Sequence, residues 1–197
     1  MDGSVAYLVS TVVCLAVVAA VVVVVMVVRG TRTPGRAVGA DGPRSDPRRL
    51  RPGDTVEIRG LSRRVRGSIR LVDEGWSWAE HLLDDVDGGG CRLSVQDRPD
   101  LEIVLWTPEP GARVTPGAPV IDFAGRSYTW EESGQARYTA TGATDLDPTG
   151  TMRYHDYQAP GGARLSFEAY GETGWSVARG EVLRPDEVTA HPEAGEG

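Results

Sequence analysis

The stretch VRGSIRLVDEGWSWAEHLL, residues 65–83, consists of two extended segments separated by a turn. The first segment, Val65–Val72, is strand-like, and the second, Trp76–Leu83, places Trp78 and Glu80 on the same face of an extended chain. The Asp-Glu-Gly sequence between the two segments is typical of a turn. The stretch therefore predicts two antiparallel strands and sets the class of the domain around it.

The same pattern continues along the chain, because short apolar segments alternate with turns that contain Gly or Pro. No stretch after Val28 has sustained helical periodicity. The further strand candidates are Thr55–Arg59, Arg92–Gln96, Leu101–Trp106, Val120–Phe123, Ser127–Glu131, Gln135–Thr141, Thr151–Tyr157, Arg164–Ala169 and Trp175–Leu183. The sequence predicts an all-β domain at 53–188, barrel-like or sandwich-like, made of two similar antiparallel halves at about 53–106 and 117–188. Residues 189–197, rich in Pro, Gly and Glu, are expected to form a disordered tail.

Two internal similarities indicate that the halves arose by duplication. The segment RLSVQ at Arg92–Gln96 resembles RLSFE at Arg164–Glu168. Trp78-x-Glu80 precedes the first segment as Tyr154-x-Asp156 precedes the second. Two copies indicate a duplicated domain and not a solenoid, while chance similarity between half-buried strands is the competing explanation.

A long apolar segment precedes the domain. Val5–Val28 carries no charged side chain, and as a helix it would measure ~36 Å, more than the ~30 Å hydrocarbon core of a bilayer. The segment is therefore predicted to be a transmembrane helix, with residues 1–4 as a short extracytoplasmic terminus. A cleaved secretory signal is the alternative, but the N-terminal flank lacks the basic residues that such a signal carries.

The flanking charges give the helix a direction. Arginines crowd the C-terminal side, so the positive-inside rule places the N-terminus outside the cell and the domain in the cytoplasm. Residues 29–52, rich in Arg, Pro and Gly, are expected to form a basic flexible linker. Candidates for contact with anionic lipid headgroups are Arg29, Arg32, Arg36, Arg48, Arg49 and Arg51.

The net charge of −7 is unevenly distributed, since residues 29–70 carry +8 and residues 71–197 carry −14. An acidic domain repels nucleic acid, which excludes that class of partner. The bilayer itself, bound through Val5–Val28, is one expected partner. The acidic domain favours a cationic one, either a basic protein segment or a polyamine.

The strongest candidate for chemistry is a set of His and carboxylate residues near the end of the strand Trp76–Leu83. With partners from the second half, the set is Glu80, His81, Asp84, Asp85, His155 and Asp156. Such side chains could bind a divalent metal or supply a general base. Glu80 and His81 would face opposite sides of a strand, however, so a solvated turn with a hydrogen-bonded histidine is the competing interpretation. No motif implies a cofactor.

The five tryptophans could form either the core or a ligand-binding face. Core positions are expected for most of them, because each ring buries ~150–250 Å². Trp78 is the ligand-face candidate, with the acid Glu80 on the same side of the strand.

Several separated motifs occur in an order that resembles the bacterial family known as domain of unknown function 4178. They are Gly75-Trp76-x-Trp78-x-Glu80-His81-Leu82-Leu83, Arg92–Val95, Leu105-Trp106, Tyr128-x-x-Glu131-x-x-Gly134-x-Ala136, Tyr154-x-Asp156-Tyr157 and Leu165–Glu168. The resemblance covers about residues 53–188 and implies a β-rich module, sometimes joined to a membrane segment. It implies gene neighbours that resemble polyamine synthases, and it carries no activity and no catalytic residues.

These observations favour a membrane-anchored, non-enzymatic binding or adaptor module at the cytoplasmic membrane face. A metal-assisted hydrolase that uses His81, Asp84 and Asp85 is one alternative. A structural envelope subunit that acts through its helix is another.

Overall fold

The computed structural model describes residues 46–84, 90–97 and 100–193. These residues form eleven strands and two one-turn 3-10 helices, η1 (Pro47–Arg49) and η2 (Pro185–Glu187). The strands are β1 (Thr55–Ile58), β2 (Leu61–Asp73), β3 (Trp76–Leu83), β4 (Arg92–Gln96), β5 (Glu102–Pro108), β6 (Val120–Phe123), β7 (Arg126–Gly142), β8 (Thr149–Ala159), β9 (Ala163–Tyr170), β10 (Ser176–Leu183) and β11 (Val188–His191).

No helix among the described residues is both long and apolar enough to cross a membrane. The predicted transmembrane segment, Val5–Val28, lies outside those residues.

Eight of the strands pair side by side into a closed ring, in the order β2-β3-β4-β5-β10-β9-β8-β7 and back to β2. The ladder that closes the ring joins β2 to β7, from Gly67 opposite Gly142 to Val72 opposite Arg137. Strands β1 and β11 extend the sheet beyond β2, and β6 extends it beyond β7. The prediction of an all-β domain is confirmed, and the closed ring makes it a barrel and not a sandwich.

The ring consists of two four-stranded meanders, β2–β5 and β7–β10, with the same internal register. Glu80 of β3 lies opposite Ser94 of β4, and Asp156 of β8 lies opposite Ser166 of β9. The segments RLSVQ and RLSFE thus occupy corresponding strands, β4 and β9. By the same register, Arg164 of the second meander is equivalent to Arg92 of the first.

Side chains from strands that are not neighbours in the ring meet on one face, which is therefore the inside of the barrel. Arg92 of β4 reaches Glu168 of β9, and Trp78 of β3 packs against Tyr154 of β8. An eight-stranded barrel is just wide enough for its side chains to fill. Part of the interior is apolar and contains Ile69, Leu71, Ala136, Tyr138 and Met152.

The outer face of each meander is covered by an extension of the sheet. Over the first meander, β1, β11 and Leu50 enclose a cluster that includes Leu93 and Val95 of β4. Over the second, β6 and the residues that precede it enclose Leu165 and Phe167 of β9. Strands β4 and β9 are consequently packed on both faces, so inward-facing polar groups on them are held between two apolar layers.

The structure corrects one predicted break in the chain. Residues 132–134 were expected to separate two strands, but β7 runs without interruption from Arg126 to Gly142, with a bulge between Trp130 and Glu132. Gly134 is part of the strand and marks no turn. Glycine is needed there because side chains from other strands lie directly over it. A Cβ there would lie 2.7 Å from Tyr154 Oη and would collide with the Asp73 carboxylate.

The structure also corrects the expected disordered tail at 189–197. Thr189–His191 belong to β11, which pairs with β1 from Ile58 to Thr55. Val188 and Ala190 are buried beside Ile58 and Val56 of β1 in the first outer cluster. Thr189–His191 are ordered because a distant strand supplies their hydrogen-bond partners. Residues 194–197 of the predicted tail lie outside the described residues.

Candidate functional site

A buried charged cluster lies inside the barrel where the two meanders face each other. Its only guanidinium among the described residues belongs to Arg92, whose Nε lies 3.1 Å from Glu80 Oε2 and whose Nη2 contacts Glu168. Tyr170 donates its hydroxyl hydrogen to Glu80 Oε2 over 3.4 Å. Glu80 and Glu168 are only 3% and 5% exposed, so these charges are held within the protein.

Strand alternation places this cluster, and a glycine makes room for it. Arg92 and Ser94 face inward on β4, and Trp106 on β5 donates its Nε1 hydrogen to Ser94 Oγ over 2.8 Å. The ring of Trp106 lies 5.4 Å from Arg92 Cζ, in cation–π geometry. A Cβ on Gly180 would lie 2.6 Å from this ring, so glycine is required opposite Trp106.

Asp156 adjoins the cluster at the point where the interior opens to solvent. Along the inner face of β8, exposure rises from Met152 (1%) and Tyr154 (8%) through half-buried Asp156 to exposed Gln158. Asp156 lies opposite Glu132 of β7, its cross-strand partner on the same face. The Oδ1 atom of Asp156 is buried, yet it accepts no hydrogen bond from any described residue.

Aromatic rings and carboxylates surround this open end. Tyr154 donates its hydroxyl hydrogen to Asp73 Oδ2 over 2.9 Å. Trp78 packs against Tyr154 edge to face, with 5.6 Å between ring centroids and 70° between planes. Burial and the nearby carboxylates Glu132 and Asp73 raise the pKa of the Tyr154 hydroxyl, so it remains a donor. We call Asp73, Trp78, Glu132, Tyr154 and Asp156 the rim.

Burial dominates the ionisation of the acids that face Arg92. It raises the pKa of Glu168 to about 8 against the attraction of Arg92, while Glu80 and Asp156 raise it further. Burial likewise raises the pKa of Asp156 to about 7, with Glu132 and Glu80 adding to the rise. Ser166 and Arg92 act in the opposite direction on Asp156. Near neutral pH these two carboxyl groups therefore keep protons that they would lose if they were exposed to water.

The structure brings only part of the predicted site together. Trp78 and Glu80 both face the interior, as the alternation of β3 requires. His81 faces outward and is fully enclosed, with its Nδ1 atom 2.9 Å from Ser68 Oγ. Burial lowers the pKa of His81 to about 4, so the ring is neutral at pH 7.

The remaining members of the predicted metal set lie elsewhere. His155 also faces outward and packs against Trp175, with 5.2 Å between ring centroids. Asp84 follows β3 and donates its backbone N–H to Arg64, while Asp85 lies outside the described residues. Nowhere in the described ranges do three or more His, Cys, Asp or Glu side chains converge as metal ligands do.

The lipid-headgroup candidates are likewise divided. Arg48, on η1, forms ion pairs with Asp46 and Asp97, which partly neutralise its charge. Arg49 ends η1, and Arg51 follows it with its backbone N–H 2.8 Å from Asp54 Oδ2. Arg29, Arg32 and Arg36 lie outside the described residues.

Sequence reasoning missed most of the buried cluster and the rim. Arg92 and Glu168 stood out in the sequence only as parts of a repeated motif, and Asp73, Glu132, Tyr154 and Tyr170 were not selected as site residues. A signal was nevertheless present. Charged residues at the inward positions of strands that are apolar on their other face, as in RLSVQ and RLSFE, indicate a polar interior.

Comparisons with known proteins match the chain to one family. A family model described as domain of unknown function (DUF4178) matches residues 51–185, a range that contains the cluster and the rim. Uncharacterised proteins of Mycobacterium tuberculosis H37Rv and Mycobacterium bovis are each 34% identical over 157 residues, covering 76% of this chain and 75% of the relative. No solved structure matches the chain.

Proposed function

The chain belongs to the DUF4178 family of domains of unknown function, and on this premise we propose that its barrel is a non-enzymatic binding module for a small organic cation. The rim is the binding site in this proposal, and the buried cluster beneath it supplies the attraction.

The observation that carries the proposal is the charge imbalance inside the barrel. Three inward-facing carboxyl groups, those of Glu80, Asp156 and Glu168, share the field of one guanidinium, that of Arg92. Excess negative charge in a low-dielectric interior is unfavourable unless a proton or another cation compensates it. A ligand cation would replace the protons that Glu168 and Asp156 hold near neutral pH.

The rim supports an organic cation in particular. Trp78 and Tyr154 present aromatic rings beside Asp73 and Glu132, and such rings attract ammonium groups and pack against alkyl chains. The acids lie on the concave inner face of the barrel and not on a flat surface. This concave arrangement favours a small molecule with one or more ammonium groups, such as a polyamine, over a basic protein segment.

A binding role also fits the buried polar groups better than hydrolysis does. The hydrogen bond between Ser68 and His81 joins side chains that are 4% and 0% exposed, so neither can contact a substrate. A hydrolase built on His81, Asp84 and Asp85 would need these groups to converge on one side of β3.

The binding test is calorimetric titration of the full-length chain with putrescine and spermidine. We expect saturable binding of both amines and none of 1,4-butanediol, which matches putrescine in shape without its charges. Replacing Trp78 with Leu should weaken binding by roughly threefold to tenfold through loss of the cation–π contact. Trp130→Leu, at an exposed position (47%), should bind as the unaltered chain does.

Two outcomes would contradict the proposal. Equal binding of the diol and the diamine would show that charge is not recognised. Tighter binding of an arginine-rich peptide than of any polyamine, unaffected by Trp78→Leu, would assign the acidic domain to a protein partner instead.

We further propose that Val5–Val28 holds this module at the cytoplasmic face of the cell membrane, as an adaptor that presents the bound cation there. The uncharged run and the arginines that follow it support this placement. Protease added to intact cells should leave the β domain uncut and should digest it after lysis. Digestion in intact cells, or release of the full chain by alkaline carbonate, would refute the placement.

A further inference from the structure

The two meanders place the same residue types at equivalent positions but differ at one ion pair. In the first meander, Arg92 Nε lies 3.1 Å from Glu80 Oε2. In the second, the equivalent arginine is Arg164, whose Nη2 atom lies 3.1 Å from Oε2 of Glu102 on β5. Asp156, the equivalent of Glu80, therefore forms no ion pair with the arginine of its own meander.

This difference leaves a specific acceptor atom unsatisfied. Ser166, opposite Asp156 on β9, donates its hydroxyl hydrogen to Glu168 Oε1 over 3.3 Å. The Oδ1 atom of Asp156 is buried and has no hydrogen-bond partner among the described residues. Leaving a buried acceptor without a donor costs about 1–3 kcal/mol, and more for a charged one. Buried polar atoms are nearly always paired. Four in the described residues are not, namely His81 Nε2, Arg92 Nε, His155 Nδ1 and Asp156 Oδ1. Of these, Asp156 Oδ1 is the carboxylate oxygen and lies where the acidic interior opens, which points to a ligand contact.

We propose that Asp156 anchors the cationic nitrogen of the ligand through an N–H hydrogen bond to Oδ1, so that the ligand brings to Asp156 the positive charge that Arg92 brings to Glu80. This inference rests on the proposed cation binding and adds the anchoring residue and the chemical class of the ligand. Because Oδ1 needs a donor, the ligand carries an ammonium group with at least one N–H, or a guanidinium group, and not a quaternary ammonium.

The position of Asp156 suits this role. It is one inward-facing residue below exposed Gln158 and one above buried Tyr154, so a ligand from solvent reaches it before the apolar interior. Glu132 lies opposite Asp156 on β7, where a second carboxylate would attract the same cation. Arg92 is already held by Glu80 and Glu168 and does not contact Oδ1.

Anchoring at Asp156 makes binding depend on pH. The carboxyl group faces Glu132 from β7, Glu80 from β3, Arg92 from β4, Ser166 and Glu168 from β9, and Tyr154 on its own strand. Its pKa is raised to about 7, chiefly by burial. A cation that binds the carboxylate must displace the proton at pH 6 but rarely at pH 8. Affinity should therefore rise about tenfold between these values, with release of a proton on binding.

The test is calorimetric titration of the full-length chain with butylamine, butylguanidine and butyltrimethylammonium. We expect the first two to bind and the third to bind at least tenfold more weakly. Asp156→Asn, which keeps the size but removes the charge, should lower affinity for butylamine by about tenfold to a hundredfold and abolish the dependence on pH. Asp147→Asn, at an exposed position, is the matched control and should change neither.

A second variant tests the anchor without altering Asp156. Arg164 is held by Glu102 and, over 3.9 Å, by Glu131. Glu102→Gln with Glu131→Gln releases Arg164, which can then approach Asp156 as Arg92 approaches Glu80. We expect this variant to lose affinity for butylamine severalfold while keeping its fold, as judged by its unfolding temperature.

The outcomes separate this inference from the proposed function. If the unaltered chain binds amines and Asp156→Asn binds them equally well, the anchor is wrong and cation binding stands. If butyltrimethylammonium binds as tightly as butylamine, the assigned chemical class is wrong. If the unaltered chain binds none of the three ligands and no polyamine, both the inference and the proposed function fail.

Discussion

Replacing Arg92 with Leu is expected to destabilise the barrel by about 3–5 kcal/mol, the cost typical of removing one partner from a buried ion pair. The substitution leaves Glu80 and Glu168 enclosed without the guanidinium that contacts both of them. The loss should be largest above pH 8 and smaller at pH 5, because burial raises the pKa of Glu168 and protonation can neutralise that stranded carboxyl group. The measurement is the free energy of unfolding from urea titration at both pH values.

The matched control for this prediction is Arg179→Leu. Arg179 also pairs with a glutamate, Glu109, but its side chain is 47% exposed. An exposed pair of this kind contributes about 0–1 kcal/mol, so the control should be nearly neutral. If Arg92→Leu is as mild as the control, the charges inside the barrel do not depend on Arg92 as described.

The second large effect is a gain in stability as the pH falls from 8.5 to 6.5. The folded-state pKa values of Glu168 and Asp156, about 8 and about 7, lie above their usual values of 4.5 and 3.8. In this range the folded state binds more protons than the unfolded chain, so stability is lost as pH rises through the folded pKa values. The linkage relation gives a gain of about 2–3 kcal/mol on lowering the pH by these two units.

The variant Glu168→Gln with Asp156→Asn should flatten this limb of the curve, and Asp147→Asn should leave it unchanged. A stability of the unaltered chain that stays constant or falls as the pH is lowered from 8.5 to 6.5, measured by urea titration, would contradict the assignment.

Below pH 6.5 a second ionisation, that of His81, acts in the opposite direction on stability. His81 has its pKa lowered to about 4, so the unfolded chain takes up a proton first and this part of the stability is lost as pH falls from 6.5 to 4.

The comparison between sequence and structure is most informative at β3. Alternation alone predicted that Trp78 and Glu80 share a face and that His81 lies on the other, and the structure bears this out. Alternation could not say which face is the interior of the barrel. His81 is the more familiar catalytic residue, yet it is fully enclosed on the outer face of β3 beside Ser68 of β2, because strands of this barrel are packed on both faces.

Sequence reasoning selected Trp78 and Asp156 but could not assemble them with the rest of the rim, for a different reason. Asp73 ends β2, Tyr154 is in β8, and their hydrogen bond depends on a glycine in β7 that neither strand reveals. The same limit explains the missed strand β11, whose order comes from pairing with β1 at the other end of the domain. Contacts of this kind depend on strand order, which local patterns do not encode.

The sequence by itself determined the all-β class, the strand segments around Trp76–Leu83, the family resemblance and the internal similarity between RLSVQ and RLSFE. These follow from local periodicity and composition, which do not depend on how the strands pair. Only the tertiary structure decided that the ring closes and which face is enclosed. It also decided that Arg92 pairs with Glu80 while Arg164 is drawn away from Asp156. The physical reason is that these charges interact strongly only when they are buried, and they are buried only once distant strands have closed around them.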